Sequence, residues 1–389
     1  MHETFDKYID RKGTGSVKVD GLKEYFGSAR LVPMWVADMD FQVPSCVTRA
    51  IKDRAEHPVY GYTLVTPAFY EAVINWLKTR HGWDVPPEWI VFSPGIVPAL
   101  TISVLIYTSP GDKVLLQSPV YPPFFSSIED NNRILVNNQL VESDGSYSID
   151  FNDLEARLSQ NVKLMFFCNP HNPVGRVWTK QEVQQVVSLC HKYSVILVSD
   201  EIHSDLVYPG HIHTSAADTG NGQDNMVICM APSKTFNLAG LASAFLIVPD
   251  DMLREKIKGF MGNLHIHFGN LFGLVALQAA YEGGGEWLDG LLSYLKGNHD
   301  TVNSFFNEEL PEIRPVNLEG TYLIWLDCRK TGMSDLKLKK FFIKEAGIAM
   351  NPGPSFGPGG NGFFRMNIAC QRSTLLNALE KIHSAWMKG

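Results

Sequence analysis

The chain has 389 residues, 45% of them hydrophobic and 19% charged, with a formal net charge of −7. That is material for two domains with ordinary cores, and the 34 basic residues are scattered, so the basic stripe of a nucleic-acid binder is missing. The longest apolar stretch, Phe268 to Tyr281, is broken by Asn270 and Gln278 and falls short of the ~20 apolar residues that span a bilayer.

The N-terminal run Met1-His2-Glu3-Thr4-Phe5-Asp6-Lys7 has no basic segment followed by an apolar core, so no secretory leader is expected. The six cysteines (Cys46, Cys168, Cys190, Cys229, Cys328, Cys370) form no C-x-x-C pair, and several sit in apolar runs such as Leu164-Met165-Phe166-Phe167-Cys168. They read as small buried hydrophobes in a reducing compartment, and a cytoplasmic enzyme is expected.

In chain order, residues 1–45 are rich in Gly, Pro and aromatics with weak periodicity, and are expected to form an arm packed on something else. Over 46–283, short β-rich runs alternate with helical ones. Strands are predicted at Trp89–Phe92, Lys113–Gln117, Arg133–Asn137, Lys163–Cys168, Val195–Ser199, Met226–Met230 and Ser243–Val248, and helices at Pro98–Tyr107 and Lys180–Tyr193. Apolar strands without polar alternation imply a sheet covered on both faces, and the β/α alternation implies a mostly parallel one. Such sheets bind ligands at the carboxyl ends of their strands. After Gly283-Gly284-Gly285 the pattern changes. A long helix, Glu286 to Asn307, leads to strands near Thr321–Asp327 and Phe363–Ala369 and helices Asp335–Ala346 and Ser373–Met387. Residues 284–389 are therefore predicted to form a smaller α+β domain.

Five predicted strand ends carry polar groups. Ser93-Pro94-Gly95-Ile96-Val97 joins a strand to a helix, and its exposed N–H groups favour an anion such as phosphate. Ser118-Pro119-Val120-Tyr121-Pro122 could present an aromatic ring on a proline-fixed turn; taken alone, the motif reads rather as a Tyr packed under that turn. Asn169-Pro170-His171-Asn172-Pro173-Val174-Gly175 places an amide where it can donate to a phenolate, or form an Asx-turn. Asn172-Pro173 and Ser118-Pro119 are candidate cis peptides. Asp200-Glu201-Ile202-His203 puts a carboxylate at the mouth of a buried sheet, which is costly without a cation. The same residues invite a metal reading, but no second cluster with ligand spacing accompanies them, and His211-Ile212-His213 and His265-Ile266-His267 read as loop and core histidines. Finally, Ala231-Pro232-Ser233-Lys234-Thr235-Phe236-Asn237 places a lysine where desolvation and neighbouring charge can depress its pKa and let it form an imine.

In this order the five motifs resemble the fold-type I pyridoxal 5′-phosphate (PLP) enzymes of the aminotransferase class I/II superfamily. The resemblance is closer to the cystathionine β-lyases, or C–S lyases, of the MalY/PatB group. That closer likeness is carried by residues 33–41 (Pro-Met-Trp-Val-Ala-Asp-Met-Asp-Phe), Gly61-Tyr62-Thr63, Arg80-His81-Gly82-Trp83, and the extended forms of the strand-end motifs, Cys168 to Trp178 and Ser233 to Leu241. The resemblance implies a large PLP-binding domain with a mostly parallel seven-stranded sheet sandwiched by helices, plus the small C-terminal domain, in a homodimer with active sites at the interface.

By residue, the resemblance implies that Lys234 forms the Schiff base with PLP and moves the α-proton, and that Asp200 pairs with the pyridinium nitrogen. Asn172 bonds the phenolic oxygen, as does His203, at a position that holds Tyr in many relatives. Tyr121 stacks on the ring. The backbone amides of Ile96 and Val97, with Ser233, hold the phosphate, and Tyr62 reaches it from the partner subunit. Arg365 clamps the substrate carboxylate through bidentate geometry. Ala242 stands where many aminotransferases place a phosphate-binding Arg, and Val19 where many members of the branch carry Trp. The implied activity is α,β-elimination on an L-amino acid with a sulfur leaving group, with Tyr121 or Tyr62 as proton donor. Transamination needs the same lysine, aspartate and arginine and stays open, as does a catalytically idle binding module. Trp35, Asp38 and Phe41 read equally as lining for the side-chain pocket and as arm structure.

Overall fold

The computed structural model describes residues 5–220 and 223–388; the first four residues of the run read as lacking a leader lie outside them. Seven strands form the central sheet: β1 (Ile90–Ser93), β2 (Lys113–Leu116), β3 (Ile134–Asn137), β4 (Val162–Cys168), β5 (Ile196–Asp200), β6 (Met226–Met230) and β7 (Ala244–Ile247). Their order across the sheet is β1-β7-β6-β5-β4-β2-β3, with β7 antiparallel to both neighbours and the other pairs parallel. Every residue of β1, β6 and β7 is buried, as expected of a sheet covered on both faces.

The covering helices include α1 (Pro67–His81), α2 (Ile96–Tyr107) and α3 (Lys180–Lys192). Thr179 and Glu182 close the N-terminus of α3 with a reciprocal capping box, a local signal that fixes where the helix starts. A single turn, α4 (Pro232–Thr235), follows β6; its first residue is proline, whose fixed φ suits a helix start.

The later part of the chain begins with the long helix α5 (Gly285–Glu309). A second sheet, of order β8-β9-β11-β10, consists of β8 (Arg314–Pro315), β9 (Leu323–Asp327), β10 (Asn351–Pro352) and β11 (Phe363–Asn367). Helix α6 (Asp335–Lys340) runs into a wider π-helical turn, Phe341–Glu345, where an unbroken helix to Ala346 was expected. The wider turn buries three consecutive apolar side chains, Phe341, Phe342 and Ile343, more than a regular helix can direct to one face. Helix α7 (Arg372–Trp386) closes the fold.

The N-terminal segment is stitched to this later part by backbone. Val32–Pro33 pairs in parallel with Ile348–Ala349, and the Asn367 N–H donates to the Met34 carbonyl at 3.0 Å. The loop ahead of β11 is equally tight. A Cβ on Gly353 would stand 1.9 Å from the Gly360 carbonyl oxygen and 2.6 Å from that of Phe363. Both neighbours are backbone and cannot swing aside. Gly353→Ala is expected to cost about 1–3 kcal/mol or more and to lower the thermal midpoint by several degrees, measured by calorimetry; an unchanged midpoint would show that the loop relaxes freely.

Candidate active site

The carboxyl ends of β1, β4, β5 and β6 open onto one cleft of about 230 Å³, bordered by Ile96, Val97, Tyr121, Asn172, Asp200, His203, Ser233 and Lys234. Eight of the ten residues singled out in the sequence thus meet in one place. Arg365 joins them from β11, where its NH1 donates to Asn172 Oδ1 at 3.0 Å. Tyr62 does not reach the cleft of its own chain: it is 96% exposed, beside Phe268 at 5.6 Å between ring centres. Ser118-Pro119 and Asn172-Pro173 are both cis, and so is Asn169-Pro170.

Lys234 sits on α4 with its Nζ donating to the Ala37 carbonyl at 2.6 Å; the Tyr322 hydroxyl donates to the same oxygen at 3.0 Å. Burial, then the nearby Arg365 guanidinium, pulls the Lys234 pKa down to about 8, against a smaller upward pull from Asp38 and Asp200. Near neutral pH the amine therefore has a usable unprotonated fraction, the form that attacks a carbonyl.

Asp200 ends β5. Burial lifts its carboxyl to about 7, opposed by the Ile202 N–H and Lys234. A lifted carboxyl marks an anion lacking a close cation. Burial, with Lys234 and Arg365 adding, drives His203 well below the usual imidazole range, so its ring is neutral. Burial also lowers Arg365, to about 10, and raises Tyr121.

Several supporting groups were not legible in the sequence. Arg365 is held by the Trp35 carbonyl and Asn351 Oδ1, each at 3.0 Å, and its guanidinium lies 4.9 Å from the Phe356 ring centre. Asp205 fixes the turn that carries Lys234, accepting from Thr235 Oγ1 at 2.8 Å, Trp76 Nε1 at 3.0 Å and His81 Nε2 at 2.8 Å. Burial alone would raise the Asp205 pKa, but hydrogen bonds from His81, Thr235 and Trp76 outweigh it and the carboxyl ends below its ordinary value.

Among the described residues no group of three or more His, Cys, Asp or Glu is placed to hold a metal ion, and no helix is long and apolar enough to cross a membrane. His213 Nε2 instead meets Glu201 Oε2 at 3.0 Å.

The donor set fits PLP. Asp200 lacks a cation that a pyridinium would provide. His203 Nδ1 and Arg365 Nε are buried polar atoms without a partner among the described residues. The Asn172 carbonyl is taken by Arg365, which leaves its amide N–H₂ to donate to a phenolic oxygen. The first turn of α2 and Ser233 offer N–H and hydroxyl donors for a phosphate. Ala242, left-handed at φ 46°, borders the cleft where an arginine was absent from the motif.

A sheet switching to a Lys–Asp–Asn constellation at its strand ends, with an arginine supplied by a second sheet, defines the class, and residues 31–382 match the family described as Aminotransferase class I and II. The chain belongs to that family. It is 44% identical to the cystathionine beta-lyase PatB of Bacillus subtilis over 383 residues, covering 98% of this chain and 99% of that one. Cystalysin from Treponema denticola, whose crystal structure contains PLP, superposes with a TM-score of 0.96 at 37% identity, covering 99% and 98% of the two chains. A PLP-bound C–S lyase from Staphylococcus hominis superposes at 0.91 with 36% identity, covering 98% and 97%.

The charge balance at Lys234 is testable in the cofactor-free protein. The rate of amine-directed modification of Lys234 is expected to rise with pH around a midpoint near 8. Asp200→Asn removes an anion that favours the ammonium and lowers the midpoint, whereas Arg365→Met removes a repelling cation and raises it. A midpoint at the ordinary lysine value of 10.5 would contradict this account.

Proposed function

We propose that this protein is a PLP-dependent carbon–sulfur lyase that converts L-cystathionine or related S-substituted L-cysteines, with water, to pyruvate, ammonia and a thiol. The observation that carries the reading is a half-buried Lys234 of lowered pKa under the influence of Arg365, Asp38 and Asp200, in a chain similar end to end to a cystathionine beta-lyase.

Bound in the cleft, PLP supplies an electron sink for the pair left on the α-carbon when its proton is removed. The protein's residues do the rest. Lys234 would attach the cofactor and, when freed, would be the base that takes the α-proton. Asp200 would keep a proton on the ring nitrogen. Asn172 and His203 would donate to the phenolic oxygen and Tyr121 would stack on the ring. Ile96, Val97 and Ser233 would hold the phosphate, with Tyr62 of the partner subunit. Arg365 binds the substrate carboxylate, orienting the α-proton toward Lys234. The β-carbon–sulfur bond then breaks, and Tyr121 or Tyr62 protonates the departing thiolate. Burial keeps the Tyr121 hydroxyl protonated, the form that can donate.

The division into an arm (1–45), a large domain (46–283) and a small domain (284–389) belongs to this reading, as does a cytoplasmic homodimer. Val59, Tyr60, Tyr62 and Leu64 form an exposed, largely apolar run, the kind of surface a second copy covers. Transamination by the same residues would return the proton to the cofactor and release a keto acid that retains its side chain.

Purified protein is expected to release pyruvate and thiol from L-cystathionine. A keto acid with intact side chain would favour transamination, and no product from a panel of S-substituted cysteines would sink the lyase reading. Lys234→Ala is expected to abolish the yellow, borohydride-reducible attachment and to lower activity by several orders of magnitude. Shared sites are tested by mixing Lys234→Ala with Tyr62→Ala protomers: heterodimers regain one intact site, restoring about one quarter of the wild-type rate. Two inactive variants that stay inactive after exchange would argue for sites built from single chains.

A further inference from the structure

A second cavity, of about 590 Å³, meets the cofactor cleft at Ala37, Lys234 and Ala239. Its other wall is the N-terminal arm, and that wall is charged. Arg11 NH2 lies 2.6 Å from Asp38 Oδ2 and NH1 lies 2.7 Å from Asp40 Oδ1. Lys18 Nζ lies 2.9 Å from Asp40 Oδ2 and 3.6 Å from Asp38 Oδ1. The four charges cancel, but they are not equally hidden. The Lys18 side chain is 1% exposed, whereas those of Arg11 and Asp38 are 22% and 20% exposed and border the cavity. Lys18 anchors the network from beneath, and Arg11 and Asp38 are its most exposed members; Asp40, 13% exposed, borders the cavity beside them.

Of the three motif residues left open between pocket and arm, the structure separates them. Asp38 and Phe41 border this cavity. Trp35 instead packs on Tyr25 and Phe26 and donates Nε1 to the Lys18 carbonyl at 3.0 Å. Asp38 is also near enough to pull on the Lys234 ammonium, so the pair stands beside the reacting end of the cleft.

An ammonium and a carboxylate borne on one carbon can lie antiparallel to a guanidinium–carboxylate pair, each charge meeting its opposite. Arg11 Nε makes no hydrogen bond among the described residues, and each Asp38 oxygen has lone pairs beyond those that meet Arg11. An uncharged thiol gains nothing there, and a thiol of single charge meets one like charge. Resting on the lyase reading above, we propose that this cavity receives the leaving group and that the Arg11–Asp38 pair selects thiols ending in such a zwitterion. L-Cystathionine carries that ending and S-ethyl-L-cysteine does not.

The readout is the ratio of kcat/KM for L-cystathionine to that for S-ethyl-L-cysteine, followed by pyruvate release from the PLP-loaded protein. Because it is a ratio, partial loss of folded enzyme cancels. Arg11→Gln and Asp38→Asn are each expected to lower it by about tenfold, and Arg11→Lys, which keeps the charge and loses the fork, by less. A ratio unchanged in Arg11→Gln, whether both rates fall together or neither moves, overturns the proposal. Should the network variants fail to fold, Gln42→Lys adds a cation on the same cavity wall outside the network. It is expected to raise kcat/KM for S-(2-carboxyethyl)-L-cysteine severalfold relative to S-ethyl-L-cysteine; no relative change overturns the proposal. If the wild-type protein releases pyruvate from no substrate, the lyase reading fails and this one with it. Pyruvate from both substrates with an insensitive ratio removes this proposal alone.

Discussion

An amine partly withdrawn from water, under the opposing pulls of a guanidinium and two carboxylates, is the constraint around which this molecule is arranged. Lys234 is depressed by burial and by Arg365, and partly restored by Asp38 and Asp200. Asp200 is lifted by the same burial. Neither group is matched to its surroundings as an ordinary ion pair would be. Groups shifted toward one another's neutral forms in a confined cleft are a recurrent mark of sites that hold a reactive partner. The fold brings them together by unrelated routes, Asp200 from a parallel strand, Lys234 from a single helical turn and Arg365 from a second sheet.

Much of this was readable because the relevant signals are local. The apolar runs that became β4, β5 and β6 announce strands buried on both faces, and their polar caps fall at the carboxyl ends as parallel topology requires. Lys234, Asp200 and Asn172 were found by position relative to those strands. The antiparallel insertion of β7 between β1 and β6 was not readable, because strand order depends on where long connections return. The hairpin Val141–Ser143 with Ser146–Ser148 was overlooked although Asp144-Gly145 is a strong two-residue turn signal. Asp205, Asn351 and Tyr322 were invisible for another reason. Each matters through a contact made across a long sequence separation, and no spacing rule marks such a residue.

The arm shows how charge can be used structurally without net charge. Lys18 is buried completely, which is tolerable because Asp38 and Asp40 both meet it and its partners satisfy Arg11 as well. Lys18 is the member whose loss of partners would cost most, because it alone is hidden from water, while Arg11 and Asp38 are partly solvated. The same arrangement holds residues 36–40 over the lysine, through Asn367 Nδ2, which donates to the carbonyls of Val36 at 2.5 Å and Asp38 at 2.7 Å.

The parallel pairing of Val32–Pro33 with Ile348–Ala349 has a consequence for the order of assembly. The carbonyl that meets Lys234 belongs to a segment translated early, yet its hydrogen-bonded neighbours are among the last residues made. Closing contacts of such long sequence separation carries a loop-closure cost, and the roof over the lysine needs β11 in place. The reactive centre is therefore complete only once both ends of the chain have met, and a chain lacking its last strand would keep the lysine but lose its roof.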